Sequence, residues 1–304
     1  MVVASRSRLD DDLRARVKVF EMCRGPNNVR FRNRINEGTS FRGHWREQAL
    51  EHHDLLLNAA RGCAYFTVSP RHDPTYRRFV EFGAGTSRLG GMPDLPGSMT
   101  WPEVGGKKLP FLCQFDLAEL PRWEGKAVPD EGWLYAFAFV GDDPQSCAVS
   151  VIYHAGPREA LKEAERPEAD KFMRDWMNDS VYSRVPVRAN ATVIVDTDSI
   201  TRELSAAGID PGRIQSLVAK ALPRPEGTDW VASLLEPVSA EDESASVLAG
   251  YRGETTCNWR NLITLSSHGS MCWSDCGVLY LLIDGGKLEA GDFSRVIPVI
   301  GSSG

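Results

Sequence analysis

Apolar positions along this chain gather into short runs bounded by glycine, proline and aspartate. "LPFLCQFDL" (109–117), "GWLYAFAFV" (132–140), "CAVSVIYH" (147–154), "NLITLSS" (261–267), "GVLYLLI" (277–283) and "FSRVIPVI" (293–300) are too short for buried helices and rich in aromatic and β-branched residues, so they predict strands. "CAYFTV" (63–68), "RRFVEF" (77–82) and "ATVIVDT" (191–197) extend the set. Helical spacing is confined to a few places. Ala49, Leu50, His53, Leu56, Leu57 and Ala60 fall on one face over residues 46–62, with Gly62 as the left-handed stop. Residues 199–208 and 210–223 predict two short helices, the second capped by Asp210 and closed by Pro223. The charged run 157–177 reads as partly helical, interrupted at Pro167, and the acidic, proline-containing residues 224–246 read as a surface excursion.

These elements do not alternate strand with helix, so a doubly wound parallel sheet is not expected. The pattern predicts an α+β fold, predominantly an antiparallel β-sheet core with peripheral helices. An internal echo suggests a duplicated sheet unit: Gly132-Trp133-Leu134-Tyr135 aligns with Gly277-Val278-Leu279-Tyr280, each after an apolar strand. Between the strands lies "GGMPDLPGSMTWP" (90–102). Its prolines fix φ and its glycines permit reversals, which predicts a rigid strap without ladder hydrogen bonds, laid across the sheet and pinned by Trp101.

The balance of 35 basic and 41 acidic side chains gives a net charge of −6, which disfavours general nucleic-acid binding. The charge is uneven. Residues 1–50 carry eleven Arg or Lys against six acids, so residues 51–304 carry −11. Residues 1–45 therefore read as a basic N-terminal extension on a domain spanning 46–304. No apolar run suits an export signal or a membrane span, and the seven widely spaced cysteines read as reduced thiols. A cytoplasmic location is expected.

Candidate chemistry is sparse. "FGAGTSRLGG" (82–91) lacks the third glycine and the following helix of a dinucleotide loop, "GGKK" (105–108) lacks the Walker spacing, and there is no G-x-S-x-G elbow. Cys257, His268, Cys272 and Cys276 are four soft ligands within twenty residues, able in principle to close a tetrahedral zinc site, although their spacing is not that of a knuckle and packing is the simpler role. Asp116 and Asp275 each sit at the edge of an apolar strand, where an acid serves either proton transfer or the amides of a turn. No cofactor is expected.

Gly90, Gly91, Pro93, Leu95, Pro96, Trp101, Pro102, Gln114, Asp116, Leu117, Gly132 and Leu134, followed by Met271, Trp273, Asp275, Gly277, Leu279 and Tyr280, resemble the signature of the YwqG-like bacterial family, a domain family of unknown function. The resemblance covers residues 46–300 and implies a predominantly β fold. Thr264 and Ser266 stand where relatives carry a second Gln-x-Asp, and Ser274 replaces a glycine. It supplies no reaction. The occurrence of some relatives beside toxin genes implies a toxin-immunity or other protein-binding role. The expectation is a non-enzymatic module whose acidic body meets a basic protein partner, with Trp101, Gln114, Asp116, Trp273 and Asp275 as contact candidates. The alternative is a cofactor-independent enzyme or small-ligand binder with a pocket near Trp101, Gln114, Asp116 and Asp275.

Overall fold

The computed structural model describes residues 60–68, 83–120, 126–141, 147–167, 182–195, 201–206, 208, 210, 230–236, 259–273 and 277–301. Its strands are β1 (Ala60–Thr67), β2 (Arg88–Leu89), β3 (Asp94–Pro96), β4 (Glu103–Val104), β5 (Lys107–Lys108), β6 (Phe111–Asp116), β7 (Trp133–Phe139), β8 (Ala148–His154), β9 (Leu161–Glu163), β10 (Val185–Pro186), β11 (Arg188–Val195), β12 (Trp230–Leu234), β13 (Trp259–Ser266), β14 (Val278–Asp284) and β15 (Val296–Gly301). Among the described residues the α-helices are α1 (Thr201–Ala206) and α2 (Gly285–Glu289). None is long and apolar enough to cross a membrane.

The chain divides into two compact units, one of residues 1–63, 121–126 and 191–224, the other of residues 64–120, 127–190 and 225–304. In the first, α1 buries Leu204. The second holds most of two mainly antiparallel sheets. One runs in the order β11-β1-β12-β13-β14-β15, the other β10-β2-β6-β7-β8. Phe66 of β1 stacks on Phe115 of β6 with centroids 3.9 Å apart, so the sheets meet face to face through side chains fully removed from water. β15 is the last strand of its sheet, with Pro298 opposite Leu281.

The echo between the two apolar hairpins has a matching register. Gln114 faces Tyr135 and Asp116 faces Trp133, while Thr264 faces Tyr280 and Ser266 faces Val278. Each hairpin closes with the same bond, Leu117 N–H to Gly132 O at 2.8 Å and Ser267 N–H to Gly277 O at 3.1 Å. The order β2-β6-β7-β8 is thus matched by β12-β13-β14-β15. Both glycines lie where a neighbouring backbone comes close: a Cβ on Gly132 would sit 2.5 Å from His154 O, and one on Gly277 2.3 Å from Gly301 O.

Several elements depart from the sequence reading. β1 begins at Ala60, so Gly62 lies inside a strand and stops no helix; sheet pairing overrides the local signal. Of the helix expected over 46–62, residues 46–59 lie outside the described residues, as does the strand expected at 77–82. Of the run 157–177, residues 157–167 form one 3-10 turn (Arg158–Ala160) and then β9, which pairs with β3, and residues 168–177 lie outside the described residues. Trp230–Leu234, expected in a surface excursion, is an interior strand between β1 and β13.

The strap is also more tightly stitched than its composition predicts. Asp94–Pro96 forms ladder bonds with Leu161–Glu163, and Gly90 N–H reaches Leu112 O at 2.8 Å. Beneath it, Leu95, Leu109, Phe111, Trp133, Tyr135, Phe137, Phe139 and Leu161 form a buried apolar cluster.

Candidate functional site

Gln114 and Asp116 are two residues apart on β6 and therefore share a face, the face that the strap covers. Gln114 is completely buried. Its Oε1 accepts the Asp94 N–H at 2.8 Å, and its Nε2 donates to Thr86 O at 2.9 Å and to Asp94 Oδ2 at 3.0 Å. Asp94 Oδ2 also accepts Gly85 N–H and Arg88 Nη1, both at 2.7 Å. The ion pair is shut away from solvent on both sides. Arg88 Nη2 donates to Met92 O, and Tyr135 donates its hydroxyl to Asp94 O at 2.7 Å.

Burial alone would raise the Asp94 carboxyl, yet the hydrogen bond and charge of Arg88, with help from Gly85 and Gln114, hold it below its ordinary value. Burial and then the Asp94 charge push the Tyr135 hydroxyl upward, so it remains a donor at neutral pH. The ionised acid, the neutral phenol and the guanidinium lock one another, and together they tie the strap's root to β6 and β7. The glycine turn at 83–87 belongs to the same lock. Gly85 has φ +82, and a Cβ there would meet Trp133 Nε1 at 2.7 Å. The Gly85 amide that a phosphate loop would offer to an anion is engaged by Asp94.

At the end of β6 the network approaches the surface. Asp116 Oδ1 caps the 3-10 turn Leu117–Glu119 by accepting Ala118 N–H at 3.0 Å, and Oδ2 pairs with Arg158 Nη2. The Asp116 N–H donates to Ser87 Oγ at 2.9 Å. The Arg158 guanidinium, on a side chain 48% exposed, stacks 5.5 Å over Trp133 and donates to Ala84 O at 2.9 Å. Trp133 in turn donates to Gly85 O at 2.9 Å. Glu119 is exposed as a residue, yet crowding by protein around its carboxyl and the neighbouring Asp116 charge raise it, with Ser87 and Arg158 pulling the other way. Of the two roles read from its position, Asp116 takes the structural one, satisfying a turn amide, and it also holds a surface cation that the position did not announce.

The remaining candidates are scattered. Trp101 is half-buried at the opposite end of the strap-covered face, edge-on to Phe137 at 5.3 Å, and its indole donates to Leu109 O at 2.9 Å. Phe137 stands opposite Phe111, five residues before Asp116 on the same strand, so Trp101 and Asp116 do not converge. Trp273 is buried beyond the end of β13, against the Tyr182 ring at 6.0 Å, with its backbone N–H on Ser267 Oγ. Asp275 lies outside the described residues, as do Cys257 and Cys276. Of the other two zinc candidates, His268 forms an isolated backbone bridge to Met271, and Cys272 is exposed. No group of three or more metal-ligating side chains occurs among the described residues.

Sequence reasoning missed Arg88, Asp94 and Arg158. Asp94 lay in plain view as the one acid within the strap, whereas neither arginine carried a periodic signal. No curated protein matches the chain. A family model described as Domain of unknown function (DUF1963) matches residues 87–300, which span β2 through nearly all of β15 and contain both hairpin units and the Arg88–Asp94–Gln114 lock. The chain belongs to that family.

Proposed function

We propose that this protein is a non-enzymatic protein-binding module. The observation that carries the reading is the fate of the polar residues on the β6–β7 face. Gln114 and Asp94 are engaged by internal partners, and Asp116 is held by Ala118 and Arg158. Such a network builds a rigid scaffold and leaves recognition to the surface. The charge of −11 over residues 51–304 then favours a basic protein partner, with faster association and discrimination against acidic competitors. Half-buried Trp101 supplies an aromatic contact at the strap, while Gln114 supports the strap from beneath. The YwqG-like resemblance and its association with toxin genes make a basic toxin the first partner to seek, inside the cytoplasm.

The test is recovery of partners from the native host with the full chain, at low and at moderate salt. A stoichiometric basic protein, held more tightly at low salt, supports the reading. Recovery of no stoichiometric protein at either salt overturns it.

A further inference from the structure

We draw no further inference here: the strongest candidate, the aromatic corner where the Tyr182 ring meets Trp273, holds a buried indole N–H with no acceptor among the described residues, and nothing in the structure shows what would reach it.

Discussion

Gln114 reads both the backbone and the side chain of Asp94, accepting its N–H at 2.8 Å and donating to its carboxylate at 3.0 Å. One amide thereby fixes the point at which the strap leaves the sheet. Gln114→Leu keeps the volume but strands a buried N–H, and should cost about 2–3 kcal/mol on the scale of a buried polar group left without its partner. Urea unfolding measures it. A loss below half a kilocalorie would mean that the strap is not held there.

Removing one member of the ion pair should cost more than removing both. Arg88→Met leaves a buried carboxylate without its cation, a loss of roughly 3–5 kcal/mol, whereas Arg88→Met with Asp94→Asn, which removes the charge but keeps an oxygen for Gly85 N–H and Gln114, should recover much of it. A double-mutant cycle in which the losses simply add would remove the coupling claimed for the pair.

The same pair sets an acid limb. Asp94 titrates lower in the folded chain than in the unfolded one, so its contribution is fully present above the ordinary aspartate value of about 3.9 and fades as pH falls through the folded value. The doubly substituted protein should show a flatter stability profile below about pH 4. Unfolding midpoints collected between neutral and acidic pH decide this.

Glu119 carries the opposite sign. Its carboxyl is raised in the folded chain, so the folded state binds its proton more tightly and the carboxylate opposes folding once pH passes the folded value. Glu119→Gln should therefore stabilise the protein at neutral pH, and the gain should vanish in acid, where both forms are uncharged. A variant that loses stability at neutral pH would show that the Ser87 contact outweighs the Asp116 repulsion.

Glycine substitutions separate conformational preference from close approach. Gly105 has φ +60 but open space around it, so Gly105→Ala should cost only about 1–2 kcal/mol for the left-handed backbone. Gly132→Ala adds a Cβ 2.5 Å from a carbonyl oxygen at φ +96 and should lose clearly more. Gly277→Ala, at the matching position of the second hairpin, should also lose more than Gly105→Ala if the two units are built alike.

Strands that bury whole apolar runs were readable because their residues point at partners on both faces. β6, β7, β13 and β14 fall within a residue or two of the expected runs. β12 escaped because Trp230-Val-Ala-Ser-Leu is five residues long and set among acidic and proline-rich neighbours, and only its position between two other strands makes it interior. Gln114 and Asp116 were legible through a residue pattern. The pairing of Asp94 with Arg88 that organises Gln114 was not, because an ion pair between a two-residue strand and a strap depends on how the chain folds back. Periodicity carries no record of that return.

Pro298 has one more bearing on how the molecule behaves in a crowded solution. It sits buried, midway along the terminal strand of its sheet, and β8 of the other sheet lies close against that strand, so the margin is shielded as well as interrupted. A chain attempting to zip onto that margin meets a missing amide hydrogen at mid-length. Growth of the sheet by accretion is discouraged there by a neighbouring strand together with one imino acid.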